Sequence, residues 1–355
     1  MHGPLDTPAR NVLILHQGAL GDFLLAVPVF EGLHQRYPGT LFDFCSRPEY
    51  AALLADKPYF GSALSVDGCL PSSLYHPDLW QNTQLVPCFE SAHVVLLFGQ
   101  DGSRIIADRL AHLAGCPVHW IRSFPPAETI RPVTRFLLEQ LRCLGLNVPY
   151  VEPRLRPLSM ELEAVRAWIA GQGWSQKPAP ILIHPGSGGR GKIWPLNRWW
   201  SLLGWLHSHY NHPIVMVLGA ADSHLKPFAL EAAHRLGVAL LEGVALERLA
   251  ALASVSQMYV GNDSGVSHLA AAIGIPTTVI FGPTVPEIWA PQGAQVHVVR
   301  SRWCAPENLT WTSSGEPDPV EEPVRVILEK LLLQLQIQNR PVAQSASQAP
   351  CCSDN

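Results

Sequence analysis

Residues 11–45 read NVLILHQGALGDFLLAVPVFEGLHQRYPGTLFDFC, and the order of patterns within them decides the fold. The opening NVLIL is a continuous apolar run, as a strand covered on both faces requires. Residues 16–21 break that run with a turn containing Gly18 and Gly21. From 22 to 37 the apolar residues recur at helical spacing until Pro38-Gly39 stops them, and 40–45 returns to strand character. Strand, glycine turn, helix, strand is the start of a parallel sheet covered by helices. Pro28 cannot donate to the carbonyl four residues back, so the reading includes a kink there, or a main helix that starts near it.

Working outward, strands are expected at 62–66, 94–98 and 118–121, with helices at 49–54, 103–114 and 132–144. The proline-rich PYVEPRLRPLS at 149–159 then reads as a joint between domains. A second cycle follows, with strands at 181–184, 214–218, 239–241, 257–260 and 277–281 separated by helical stretches. The predicted helices of that cycle lie at 160–170, 196–209, 223–236, 246–253 and 266–273. Repeated strand-loop-helix units predict a second doubly wound sheet, whose ligands gather at the carboxyl ends of its strands. A last apolar helix is read at 321–337, and the Pro/Ser/Gln-rich residues 339–355 read as a disordered tail.

Composition narrows the function. The chain has 355 residues, enough for two domains of roughly 150 each. Its 29 acidic residues outnumber 25 lysines and arginines, which argues against a general nucleic-acid binder. No apolar run reaches the length of a membrane span, and MHGPLDTPAR at the start lacks the apolar stretch expected of a signal peptide. The eight cysteines are irregularly spaced and read as reduced thiols, which fits the cytoplasm. Fifteen histidines are scattered without metal-site spacing. In the amino half, Arg47, Lys57, Arg104, Arg109 and Arg122 are dispersed and form no basic cluster in sequence.

Three glycine turns fall between a predicted strand and a predicted helix. In the first, Gly18 and Gly21 let backbone approach a substrate, while Asp22 is either a carboxylate in the turn or a helix cap. The second, HPGSGGRGKIWP at 184–195, offers the N–H groups of Ser187 and Gly188 and the charges of Arg190 and Lys192 to an anion. Trp194 beside it could touch a ligand. The third, GNDSGVSHLAAAIGIP at 261–276, places Ser264 and Gly265 at a helix start, a seat for a diphosphate. Asp263 would repel phosphate, so it suits a sugar hydroxyl or a brace; His268 is a hydrogen-bonding residue or a packed one.

These turns resemble the heptosyltransferases of glycosyltransferase family 9, inverting enzymes that build lipopolysaccharide core from ADP-heptose. The matching stretches are GALGDFLLAVPVFEGLHQRYPG at 18–39, HPGSGGRGKIWPLNRWWSLL at 184–203 and GNDSGVSHLAAAIGIPTTVIFGPT at 261–284. The resemblance implies a GT-B fold, with two Rossmann-like domains facing across a cleft. Residues 1–150 would bind the acceptor and 151–316 the nucleotide sugar, and the helix within 317–338 would cross toward the first domain. It implies Asp22 as the catalytic base. Ser187, Gly188, Lys192, Asp263, Ser264, Gly265 and His268 would hold the donor, with Gly18, Gly21, Arg190, Trp194 and Glu242 as further contacts. No metal or cofactor is expected beyond the nucleotide sugar, ADP-heptose being the candidate. The acceptor would be a glycan or glycolipid, met by a cytoplasmic monomer at or near the inner membrane.

The chain departs from the pattern at Gly188, Gly189 and Gly191, where hydroxyl side chains often assist phosphates, and at 241–245 (LEGVA), which lacks the usual Thr or Ser. Two alternatives therefore stand beside heptosyl transfer. One is a transferase of the same fold using another nucleotide-hexose on a polysaccharide or protein; the other is a nucleotide-sugar binding protein without turnover.

Overall fold

The computed structural model describes residues 11–303, 309, 311 and 320–338; the expected tail lies outside them. The first sheet contains β1 (Asn11–His16), β2 (Leu41–Ser46), β3 (Phe60–Ser65), β4 (Val94–Gly99) and β5 (Val118–Arg122). Its order is β3-β2-β1-β4-β5, parallel throughout. The second contains β6 (Ile181–His184), β7 (Ile214–Leu218), β8 (Ala239–Glu242), β9 (Met258–Asn262), β10 (Thr277–Phe281) and β11 (Val296–Arg300). Its order, β11-β10-β9-β6-β7-β8, is again all parallel. Both sheets reverse their strand order beside their first strand, between β1 and β4 and between β6 and β9. A crevice opens at such a reversal, at the carboxyl ends of the strands. The three glycine turns follow β1, β6 and β9, so each sits at a reversal point.

The first helix, Leu20–Arg36, docks on the first sheet through Phe23, Leu24, Val27, Phe30 and Leu33, all buried. Phe30 lies edge-on to Phe44 at 5.3 Å and to Phe98 at 5.8 Å, between β2 and β4. Truncating a side chain held this way costs about 3–5 kcal/mol. This packing explains why the helix is continuous through the span that includes Pro28, rather than starting there. An interior proline costs about 3 kcal/mol, and burial of the flanking Val27 and Val29 offsets it.

One apolar core joins the two sheets, linking Phe23, Phe30 and Leu96 with Leu182, Leu249 and Tyr259. The backbone is tied across the joint as well, where the Leu155 N–H donates to the Ala272 carbonyl at 2.8 Å. The last helix, Glu322–Gln338, departs from expectation. Its buried Val324, Leu328, Leu331 and Leu332 join Trp199, Trp200, Phe228 and Val299 in the core of the second sheet. It docks on its own sheet instead of crossing toward the first. Its apolar face matches the surface left beside β10 and β11, and β11 itself was not anticipated. Short helices at Val66–Cys69 and Pro87–Ser91 are too brief to show a period in the sequence.

Candidate active site

The carboxyl-end loops of the two sheets enclose a cavity of ≈ 460 Å³. The first sheet contributes Ala19, Gly21, Asp22 and Leu25; the second contributes Gly188, Gly189, Lys192, Asp263, Ser264, Gly265, His268, Thr284 and Trp289. Residues more than 240 positions apart thus face one another. Two helix N-termini make the approach, those of Leu20–Arg36 and Gly265–Ile273. Glycine permits it: a Cβ on Gly265 would come within 2.8 Å of Leu20 Cβ and 3.1 Å of the Gly21 nitrogen.

Asp22 sits in the first turn of its helix and its carboxylate accepts the Ala19 N–H at 2.9 Å. The capping role that the sequence left open is therefore present, and it leaves the group on the cavity wall. Burial raises the Asp22 pKa above the usual carboxylate range, opposed by the Ala19 N–H and the charge of Lys192 and helped by Asp263. Behind it, buried His16 stacks edge-on to Phe23 at 5.3 Å. Burial drives the His16 pKa down to about 4, so the ring beside Asp22 is neutral at pH 7.

Across the cavity, Lys192 Nζ lies 3.1 Å from Asp263 Oδ2, and the Thr284 hydroxyl donates to the same oxygen at 2.8 Å. Asp263 thus braces Lys192 and Thr284 while lining the cavity itself. Its own position is fixed by Ser187, whose buried hydroxyl donates to the Asp263 carbonyl at 2.7 Å. Ser187 therefore supports the loop from behind through its side chain, and it is not among the residues that line the cavity. Asn262 ties the same two loops together, its amide donating to the Pro185 carbonyl at 2.6 Å and accepting the Trp194 N–H at 3.2 Å. His268 is held to a pKa of about 4, chiefly by burial, with Asp263 and Lys192 acting in opposite directions.

Other expected contacts fall elsewhere. Trp194 is fully buried, with its indole N–H donating to Ser301 Oγ at 3.1 Å, so it packs the core and does not reach a ligand. Glu242 lines a separate cavity of ≈ 430 Å³ with Trp168 and Arg248, and its carboxylate pairs with Lys226 at 3.0 Å. Arg190 belongs to the short turn Arg190–Lys192 but is not on the cavity wall. Gly18 lies behind Asp22, where a Cβ would meet the Asp22 Cβ at 2.8 Å. Conversely, Trp289 on the short helix Pro286–Trp289 lines the cavity and meets Phe124 of the first half at 4.9 Å. Nothing in the local pattern of residues 286–289 marks it; only the fold brings it there. Arg47, Arg104 and Arg122, dispersed in sequence, all come to the carboxyl edge of the first sheet. They follow β2, open the helix after β4 and end β5 respectively.

Two doubly wound parallel sheets with a polar crevice between their carboxyl edges define a protein of the GT-B class. The profile of glycosyltransferase family 9 (heptosyltransferase) matches residues 130–315, and the chain belongs to that family. Lipopolysaccharide heptosyltransferase 1 of Pseudomonas aeruginosa is 39% identical over 83 residues, a match covering 21% of this chain and 23% of that one. The structure is similar to that of a glycosyl transferase family 9 protein from Veillonella parvula, with a TM-score of 0.70 and 16% identity over 92% of this chain and 98% of the other. It is also similar to E. coli ADP-heptose lps heptosyltransferase II, with a TM-score of 0.65 and 20% identity over 92% and 99% of the two chains.

Proposed function

We propose that this glycosyltransferase moves heptose from ADP-heptose to a hydroxyl of a lipopolysaccharide-like acceptor, inverting the anomeric centre and using no metal ion. One juxtaposition carries the reading. A half-buried carboxylate on the first helix faces a lysine and an open helix N-terminus on the other wall of the same cavity. Family membership and the names of the similar proteins support heptose and ADP as the donor's parts.

In this reading residues 1–150 take the acceptor and 151–316 the donor. Asp22 accepts the acceptor's proton as the hydroxyl oxygen bonds to the anomeric carbon from the face opposite the diphosphate. As the bond from that carbon to the diphosphate breaks, charge grows on the departing oxygens. Lys192 and the N–H groups at the start of helix Gly265–Ile273 stabilise it, the work a metal does in other active sites. Gly188 and Gly189 let backbone approach the phosphates where other side chains would intrude. The arginines gathered at the first carboxyl edge suit an acidic glycolipid. Arg104 lies over the Trp120 ring and Arg47 over the Tyr50 ring, so their heads are positioned rather than loose. No helix among the described residues is long and apolar enough to cross a membrane. A cytoplasmic monomer that meets its acceptor at the membrane surface fits these features.

The test is a donor panel with heptose-free lipopolysaccharide as acceptor. ADP-heptose should give a product heavier by one heptose, of inverted configuration by NMR, at a rate that EDTA leaves unchanged. Transfer only from GDP-, UDP- or dTDP-hexoses would replace the donor assignment. Loss of turnover in EDTA, restored by a metal, would overturn the metal-free mechanism.

A further inference from the structure

The hydroxyl at the start of helix Gly265–Ile273 does not cap the helix backbone; besides a 3.4 Å approach to Ser267 Oγ, its partner lies at the end of β6. A serine at this position ordinarily accepts a backbone N–H two or three residues on. Ser264 makes no such bond, and its Oγ lies 3.2 Å from His184 Nδ1. The other ring nitrogen, Nε2, is 3.1 Å from Asp222 Oδ2, which also accepts the Gly219 N–H at 2.8 Å. All three side chains are buried. Asp222 is also pressed against backbone, since a Cβ on Gly186 would come within 2.0 Å of its Oδ1.

The direction of these bonds follows from charge. Burial works to raise the Asp222 pKa, but the hydrogen bonds from His184 and the Gly219 N–H outweigh it, leaving the group below its usual value and ionised. A carboxylate only accepts, so His184 Nε2 carries a proton, and in the neutral ring Nδ1 then presents its lone pair. The Ser264 hydroxyl then donates to Nδ1. Within the helix, the Ser267 and His268 N–H groups bond to the Ser264 carbonyl, at 3.1 and 3.4 Å. The first two, on Gly265 and Val266, have no place in the helical ladder.

We infer that His184 and Asp222 are positioning residues for the donor: by holding the Ser264 hydroxyl, they keep the Gly265 and Val266 N–H groups open for the diphosphate. The inference rests on the donor-site reading above. Neither residue lines the cavity, and both act through Ser264.

Two replacements of similar size separate this from a packing role. In His184→Asn the amide falls near the place of Nδ1 and can still accept the Ser264 hydroxyl. In His184→Gln it falls near Nε2, reaching Asp222 but releasing the serine to cap its own helix. ADP binding, measured by titration calorimetry on full-length chains that melt cooperatively, should weaken about tenfold in the Gln variant and less than about threefold in the Asn variant. Adding Ser264→Ala to His184→Gln should recover at least about threefold, because no hydroxyl is left to occupy the seat. If the Gln variant does not fold, His184→Ala releases the hydroxyl equally and takes its place. Equal losses for Asn and Gln, or no recovery on removing the hydroxyl, would overturn the inference. Lys192→Met is the control for the reading beneath it. If that variant weakens ADP binding while His184 variants behave alike, the positioning role alone fails. If wild-type protein does not bind ADP, the donor-site reading fails first.

Discussion

Two helix N-termini meet in the cavity, and they differ in what closes them. Leu20–Arg36 begins with Ala19, which has no capping side chain, and Asp22 reaches back to take the Ala19 N–H. Gly265–Ile273 begins with Ser264, whose hydroxyl is held elsewhere. One end therefore carries a fixed negative charge, and the other keeps its partial positive charge exposed. Sheets of the same winding thus present opposite electrostatic ends to the two reactants. An acceptor losing a proton suits the first, and a diphosphate gaining charge suits the second.

The comparison breaks most easily at the contact itself. Gly265→Ala places a methyl against Leu20 and the Gly21 nitrogen, so the ends must part by some tenths of an ångström. Turnover should fall on the order of 100-fold while thermal melting changes little, because small misplacements of reacting groups are costly. Wild-type kinetics would mean that the two ends need not meet.

Much of this arrangement was legible beforehand because it is local. Each glycine turn lies between an apolar run and a helical period, so the strands at 181–184, 214–218 and 277–281 and the position of Asp22 could be read directly. What could not be read depends on distant packing. Trp194 adjoins a glycine loop in sequence, yet its ring faces the core. Trp289 adjoins no motif, yet lines the cavity. Ser187 and Ser264 look equivalent as hydroxyls in phosphate loops. Their partners, the Asp263 carbonyl and His184, are set by how β6 lies beside β9. The last helix shows an apolar face but not which domain receives it.

Lys192 sharpens the open end. Replacing it with Met keeps the stem and removes the ammonium, so kcat/KM for the donor should fall roughly ten- to hundredfold. The same change leaves buried Asp263 with Thr284 as its remaining side-chain partner of the two, so melting should be compared alongside. Unchanged kcat/KM would leave the diphosphate to backbone groups alone.

Protonation distinguishes the two ends further. The Asp22 pKa is raised, so single-turnover rates should fall on acidification at a pH above the usual carboxylate range. For stability the sign is opposite to that of a salt-bridged aspartate. The native state holds the Asp22 proton more tightly than the unfolded chain, so its contribution is present at low pH and is lost as pH rises through the folded-state value. Asp22→Asn should therefore melt at the same or a higher temperature at pH 7; a clear drop would make the carboxylate structural. His16 and His268, both near 4 in the folded state, act the other way. As pH falls from about 6.5 toward 4 the unfolded chain binds protons that the native chain refuses, costing up to about 3 kcal/mol for each. Urea melts across that range should show the loss, and His268→Gln should reduce it; an unchanged slope would assign the loss to other groups.

The division of labour is tested most directly by measuring ADP affinity and the single-turnover transfer rate on the same preparation of Asp22→Asn. The amide keeps the shape and can still accept the Ala19 N–H, but it cannot take a proton. The rate should drop on the order of 100-fold or more, while ADP binds within about threefold of wild type or more tightly, since a negative charge has left the cavity. Full turnover would leave Asp22 a helix cap, and a parallel loss of rate and affinity would place it with the donor rather than the acceptor.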